Sequence, residues 1–234
     1  MWGRSLYLNI QRFILFQMTI NVAACIIVLF GAFLGVQSPL TVTQMLWVNL
    51  IMDTFAALAL ASLPPSQRVM NDPPRQRKAN IITKEMAHGI FGVGGLFVLL
   101  LFGFIQYFKN EDITSLTQFS ITDYFANFFH FGSFDNGLSA YELSLFFSIF
   151  VMLQFWNMFN AKAYRTGRSA FAEIGKSQGF IMIAAAIIIG QVVITTFGGA
   201  MFSVTPLLLT DWCLIIAATS LVLWIGELLR LIKR

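Results

Sequence analysis

One carboxylate lies inside an apolar run that is long enough to cross a lipid bilayer, in the sequence Trp47-Val48-Asn49-Leu50-Ile51-Met52-Asp53-Thr54. A charged side chain at the centre of a bilayer costs at least about 2.5–3.5 kcal/mol. An acid that is kept at this depth is by default the mark of an ion or proton site. We therefore interpret the rest of the chain from Asp53 outward.

The composition is that of a membrane protein. Of the 234 residues, 57% are hydrophobic and 11% are charged, whereas soluble domains carry about 25% charged residues. The net charge of +4 does not indicate a nucleic-acid-binding protein, because the basic residues form short clusters between apolar runs. We therefore expect a lipid bilayer, and no nucleic acid, as a partner of the chain.

Six apolar runs are long enough to span a membrane, since a transmembrane helix needs about 20 apolar residues. They occupy residues 13–35, 40–62, 86–108, 141–161, 179–203 and 208–229. We predict an all-α, polytopic bundle of six transmembrane helices, so that residues 1–234 form a single transmembrane domain. The short connection at 36–39 predicts that the first two spans form an antiparallel hairpin.

The Lys and Arg residues predict the direction of these helices. All but one of the 15 basic residues fall on one side of the six-span arrangement, and the exception is Lys109. Positive residues mark the cytoplasmic side of a membrane. We therefore expect both termini and the loops 63–85 and 162–178 to be cytoplasmic, and the loop 109–140 to lie on the outer side.

Four polar side chains share one depth in the predicted bundle. With a rise of about 1.5 Å per residue, Asn21 lies roughly 12 Å, Asp53 roughly 13 Å and Gln154 roughly 10 Å above the cytoplasmic edge. Asn49 precedes Asp53 by four residues, a spacing that places two side chains on one face of an α-helix. Four side chains that carry oxygen are therefore expected at one level.

Carboxylate and amide oxygens suit a hard cation such as Ca²⁺, which takes about six to eight oxygen ligands. One carboxylate and two or three amides are too few, so further oxygens must come from a second acid, from unwound backbone or from water. No His or Cys joins this level, which argues against zinc or copper. Mn²⁺ also accepts oxygen ligands, so calcium and manganese both remain open.

The same residues allow a purely structural interpretation. Asn and Gln within spans often only bond neighbouring helices, at about 0.6–2 kcal/mol each. We favour this interpretation for Asn157 and Asn160, whereas for Gln154 it has the same weight as a role in ion binding. The chain would then be a scaffold without ion binding, with Asp53 protonated and bonded to Asn21 or Asn49. A third alternative is an independent cation channel or transporter.

Several stretches resemble the calcium-transporting P-type ATPases, most closely the plasma-membrane type. The motifs that carry this resemblance are Trp2-Gly3-Arg4-Ser5-Leu6-Tyr7 with Phe16-Gln17-Met18-Thr19-Ile20-Asn21-Val22, then Ser38-Pro39-Leu40-Thr41 with Gln44-Met45-Leu46-Trp47-Val48-Asn49-Leu50-Ile51-Met52-Asp53-Thr54-Phe55, and Gln154-Phe155-Trp156-Asn157-Met158-Phe159-Asn160-Ala161-Lys162. In that order they are similar to the stalk and fifth helix, the turn and sixth helix, and the eighth helix of the family. The last two spans match by hydropathy and order, so the resemblance covers the chain as helices five to ten of a ten-helix pump.

The resemblance implies a set of ligands for one calcium ion. Asn21, Asn49 and Asp53 match ligands of the single site of the plasma-membrane type, whose co-ligand is a glutamate on the fourth helix. Ala24 and Gln154 stand where two-site pumps have acids, which implies that the second site is absent. Gln154 is then a flanking polar contact.

The resemblance also implies a division of labour within a complete pump. ATP and Mg²⁺ belong to the full-length protein, since the phosphorylation motif Asp-Lys-Thr-Gly-Thr does not occur in this chain. Met1 falls within the stalk motif, so we expect a fragment without ATPase activity of its own. Its partner would be the N-terminal half, with helices one to four and the cytoplasmic domains. We expect an integral protein of the plasma (inner) membrane.

Overall fold

The computed structural model describes residues 2–33, 39–65, 67–70, 80–111, 113–130 and 138–232. Within these ranges, six helices are long and apolar enough to cross a membrane. The predicted all-α bundle of six membrane-spanning helices is therefore confirmed. Residues 36–38 of the predicted turn at 36–39 lie outside the described residues, and so does the stretch 71–79 of the loop 63–85.

The described helices are all α-helical except for one π-helical segment and three 3₁₀ turns. In order they are α1 (Trp2–Phe33), α2 (Val42–Leu46), a π-helical segment (Trp47–Met52), α3 (Asp53–Ala61), α4 (Lys84–Asn110), α5 (Ile121–Asn127), α6 (Ala140–Lys162), α7 (Gln178–Phe197), α8 (Gly199–Phe202) and α9 (Leu209–Ile232). The segments α2, π-helix and α3 are continuous and form the second span. Short 3₁₀ turns occupy Gln67–Met70, Leu116–Gln118 and Ile174–Lys176.

Two helix ends differ from the predicted spans for local reasons. α1 begins at Trp2 and not at residue 13. The prediction marked only the apolar run, whereas the helix also includes the polar residues before it. α7 ends at Phe197, before residue 203, and the short α8 follows. Gly199 has a positive φ of 46°, a conformation that glycine adopts without steric cost. The chain therefore turns at this glycine before α9.

Side-chain caps stand at the start of three of the membrane-spanning helices. Thr41 and Ser139 each form a capping box, with Gln44 and Glu142 respectively. The Thr83 side chain accepts a hydrogen bond from the Met86 backbone N–H at the start of α4. Such caps satisfy backbone donors that the first helical turn leaves without partners, and each stabilises a helix by about 0.5–2 kcal/mol.

α6 forms the centre of the bundle. Of its most apolar stretch, 89% is buried, compared with 28–44% for the other five spanning helices. It packs against α1, α4, α7 and α9. Its aromatic residues Phe146, Phe147 and Phe150 are fully buried, so they provide the close van der Waals packing that holds helices together in a bilayer.

α1 packs against both α4 and α3. At the first contact, a Cβ atom added to Gly94 would lie 3.4 Å from the Thr19 carbonyl oxygen. Near the end of α1, a Cβ on Gly31 would lie 2.8 Å from Cδ of Pro39. The first approach brings α1 close to α4. The second, together with the packing of α1 on α3, places α1 beside the span that carries Asp53, as expected for a hairpin.

The segment between α4 and α6 is anchored by Tyr124. Its ring lies against Gly103, and its hydroxyl group donates a hydrogen bond to the Leu100 carbonyl oxygen at 2.9 Å. Burial raises the pKa of Tyr124 to about 12 because the charged phenolate loses its hydration. On the outward side of α5, Phe125 is 67% exposed. The short helix therefore lies on α4 by one face only.

Candidate cation site

Asp53 is the first residue of α3, and it follows directly on the π-helical segment. Its side chain is only 4% exposed. Neither carboxylate oxygen has a hydrogen-bond partner among the described residues. A buried carboxylate without a partner is costly, because the charge loses its hydration and gains nothing in return. The fold therefore holds an acceptor that is available to a ligand.

A second buried acid shows that this situation is specific to Asp53. Asp211 of α9 is fully buried, yet its oxygens accept four hydrogen bonds. The donors are Ser115 Oγ (3.3 Å), Leu116 N (3.0 Å), Tyr141 Oη (2.7 Å) and Leu208 N (3.2 Å). Asp211 thus joins α9, α6 and the 3₁₀ turn before α5. It is a structural acid, and it was not among the residues singled out from the sequence.

The π-helix is the local distortion that leads into Asp53. The Asp53 backbone N–H donates to the Val48 carbonyl oxygen, five residues earlier, where an α-helix would use the fourth. At the other end, Trp47 Nε1 donates to Oε1 of Gln191 on α7 at 3.1 Å. Turns of this kind are rare and occur frequently at functional sites. The widened turn ends at the acid, so it sets the direction in which Asp53 projects.

The π-helix also separates Asn49 from Asp53. The sequence places the two residues on one face of a regular α-helix, but Asn49 is exposed while Asp53 is buried. A π turn holds more residues than an α turn, so the four-residue spacing no longer gives the same angular offset. Asn49 lies on the open side of the second span, and a shared ion between it and Asp53 stays a prediction.

α1 brings amide side chains to the same region. Asn21 is half-buried on α1, which packs against α3, but it is not hydrogen-bonded to Asp53. The polar side chain that approaches the Asp53 carboxylate is Gln17, without reaching hydrogen-bond geometry. The sequence analysis did not single out Gln17. Gln17 could have been found from its position four residues before Asn21, because residues at this spacing share one face of a helix.

Gln154 lies deeper in the bundle. It is fully buried on α6, and neither atom of its amide group has a partner in the described part of the chain. α3 packs mainly against α1 and α7, whereas α1 contacts both α3 and α6. Asp53 and Gln154 are therefore both on helices that pack against α1, and no hydrogen bond joins their side chains.

Asn160 follows the structural interpretation. Its Nδ2 donates to the Val222 carbonyl oxygen at 3.1 Å, and its Oδ1 accepts from Arg230 at 2.9 Å. Both partners are on α9, so this asparagine bonds two helices. The two histidines are exposed and bonded locally, His88 to the Lys84 carbonyl oxygen and His130 to Asn110.

The chemistry of the region is that of a partial cation site. One carboxylate and nearby amides offer oxygen ligands, which hard cations prefer. Among the residues that the structure describes, no group of three or more His, Cys, Asp or Glu side chains is arranged to hold a metal ion. The oxygen atoms near Asp53 are of the kind that hard cations bind, but they are too few to complete a coordination shell.

Comparison with known proteins places this arrangement in a family. The family described as "Cation transporting ATPase, C-terminus" matches residues 37–232. The chain is 34% identical to plasma membrane calcium-transporting ATPase mca-1 of Caenorhabditis elegans, over 95% of this chain and 17% of that protein. It is 35% identical to plasma membrane calcium-transporting ATPase 4 of Homo sapiens, over 98% of this chain and 17% of that protein. A putative plasma membrane-type calcium-transporting ATPase 11 of Arabidopsis thaliana is 34% identical, over 96% of this chain and 20% of that protein. The chain thus spans about a fifth of the length of these relatives.

Proposed function

Because the chain belongs to the family of cation-transporting ATPase C-termini, we propose that it forms part of the ion-binding membrane domain of an ATP-driven Ca²⁺ pump. The relatives' names support calcium as the transported ion and the plasma membrane as the location. The observation that carries the proposal is Asp53, a buried carboxylate without a partner among the described residues. It stands at the end of a π-helix in the second span.

The proposed ligands have distinct roles at a single calcium site. Asp53 supplies the negative charge, Asn49 and Asn21 supply neutral oxygens, and Gln154 is a flanking polar contact. Gln17 joins them as a further amide beside the carboxylate. The remaining oxygens come from the part of the pump that the relatives have and this chain does not span. That part also binds ATP and Mg²⁺ and performs the phosphoryl transfer.

The proposal includes a direction across the membrane. Both termini and the loops 63–85 and 162–178 face the cytoplasm, where most Lys and Arg residues lie. The loop 109–140 lies outside. Calcium would then enter from the cytoplasmic side, and the partner half, with its cytoplasmic domains, would contact the same side of this chain.

The scaffold alternative makes a different structural prediction. It requires a protonated Asp53 that is bonded to Asn21 or Asn49. Within the described ranges, neither asparagine forms that hydrogen bond, and the Asp53 oxygens stay without partners. The geometry therefore favours a ligand role for Asp53 over a purely structural one.

The proposal is tested in a complete pump that carries this chain. We expect Asp53→Asn to abolish Ca²⁺-dependent phosphorylation by ATP, because the amide removes the charged ligand that this chain contributes to the proposed site. Asp123→Asn is the matched control, since Asp123 is an exposed acid on α5 and should leave the calcium dependence unchanged. Normal calcium dependence in the Asp53 variant would exclude it as a ligand. Calorimetry on the isolated chain should show millimolar Ca²⁺ binding or none, and micromolar binding would contradict a partial site.

A further inference from the structure

A second polar region lies at the end of the bundle where α6 stops. A cavity of about 500 Å³ opens between α1, the residues after α3 and the connection from α6 to α7. Its wall includes the four basic residues Arg12, Lys162, Arg168 and Lys176, and one acid, Glu173. Lys162 is the last residue of α6, so the cavity lies at the level where a membrane span ends.

Two of these cations are buried, and Glu173 attracts Lys162 without forming an ion pair with it. Arg12 is 6% exposed and Lys162 is 7% exposed, and they act on each other as like charges. Among the described residues, neither has a carboxylate within ion-pair distance; Glu173 pairs with Arg168 at 2.8 Å. Buried charges are normally paired, because an isolated charge loses its hydration.

The donors of both cations are only partly used. An Arg12 Nη donates to Asn9 Oδ1 at 2.9 Å, but the buried Nε has no partner in the described ranges. Lys162 Nζ donates to the carbonyl oxygens of Ala170 at 2.8 Å and Ala172 at 3.0 Å. An ammonium group has three donors, so one remains for a ligand. The cavity thus combines excess positive charge with buried donors that have no acceptor.

We propose that this cavity binds a phosphate-type anion. Guanidinium and ammonium groups bind phosphate oxygens through short, charge-assisted hydrogen bonds. Ser169 and Ser177 lie in the same wall, but the Ser177 hydroxyl group already donates to the Glu173 carbonyl oxygen at 3.4 Å, so the cationic groups are the donors available to the anion. Such an anion has two sources, the headgroup of an anionic phospholipid or free phosphate, and the position at the end of α6 favours the headgroup. The site is separate from Asp53 and does not depend on calcium binding.

The test compares two probes on the purified chain in neutral detergent. Native mass spectrometry measures retention of phosphatidylglycerol, and calorimetry measures binding of inorganic phosphate. We expect at least one probe to bind the wild type. Arg12→Gln should weaken that binding about thirtyfold, as the loss of a buried charged partner does. Lys176→Gln, at an exposed position, should weaken it about threefold.

A charge control and a folding control keep the result specific. Lys84→Gln removes an exposed charge that does not line the cavity and should bind as the wild type does. Circular dichroism checks the fold of Arg12→Gln, and Lys176→Gln provides a variant whose fold is not at risk. Phosphatidylglycerol retention alone assigns the lipid source, and phosphate binding alone assigns free phosphate. The proposal is overturned if neither probe binds, or if Lys84→Gln weakens binding as much as Lys176→Gln does.

Discussion

The indole Nε1 of Trp47 donates a hydrogen bond to the side-chain oxygen of Gln191 at 3.1 Å, and this contact ties the first π-helical residue to α7. Gly190 makes the contact possible, since a Cβ there would lie 3.0 Å from the Trp47 ring. The same π-helix ends at Asp53. We therefore expect α7, which contributes no proposed ligand, to influence the position of the Asp53 side chain.

The first prediction concerns this support. Gln191→Leu leaves the buried Trp47 N–H without an acceptor, which should lower the free energy of unfolding by about 1–3 kcal/mol. In a complete pump it should also weaken the apparent calcium affinity, because the π-helix loses its anchor. Calcium titrations of phosphorylation measure the second effect. Gln178→Leu, at an exposed position on the same helix, is the control. An unchanged calcium affinity in Gln191→Leu would show that α7 does not position the site.

The second prediction concerns the structural acid. Asp211→Asn should lower the free energy of unfolding of the chain by about 2 kcal/mol, because hydrogen bonds to a charged group are worth about 1.5–3 kcal/mol and Asp211 accepts four. Thermal unfolding in detergent measures this loss. Calcium dependence in a complete pump should stay normal. A variant as stable as the wild type would mean that the network around Asp211 does not hold α9 in place.

The third prediction is that removing the other buried carboxylate, that of Asp53, does not lower the stability of the chain. In the isolated chain, Asp53→Asn should leave thermal stability unchanged or raise it, because the substitution removes a buried charge that has no partner in the described structure. The same unfolding experiment compares it with Asp211→Asn. A marked loss of stability would indicate that the Asp53 carboxylate is already bonded within the chain, as the scaffold alternative requires.

The fourth prediction concerns the contact between α4 and α5. A Cβ on Gly103 would overlap the Tyr124 ring, so Gly103→Ala should displace α5 and cost about 1–3 kcal/mol. Hydrogen exchange should become faster at residues 121–127. Gly95→Ala is the matched control, because no described atom lies within 4 Å of its added Cβ and alanine favours helix. Equal exchange in both variants would mean that Tyr124 does not anchor α5.

The bundle could be predicted from sequence because its signal is local. Each spanning helix corresponds to an apolar run, and a bilayer requires such runs to be helical since their backbone groups must bond internally. The end of α7 was predicted at residue 203, after its actual end at Phe197, because the apolar run continues past Gly198-Gly199. The network of Asp211 could not be predicted, because its donors come from residues distant in the chain.

The candidate site could be predicted only in part. Asp53 stands out from its apolar surroundings, but the π-helix leaves no mark in residues 42–61, which contain neither Gly nor Pro. Its Trp47 end is held by Gln191, which is 144 positions away. The approach of Gln17 to Asp53 depends on how α1 lies against α3, which spacing along one helix does not determine.

The central claim is that Asp53 is buried without a hydrogen-bond partner among the described residues because it binds the transported cation. Equilibrium binding of radioactive Ca²⁺ to a complete pump that carries this chain tests it most directly. We predict one bound ion per pump for the wild type and none for Asp53→Asn at the same free calcium concentration. Retention of one ion by Asp53→Asn with the affinity of the wild type would contradict the claim.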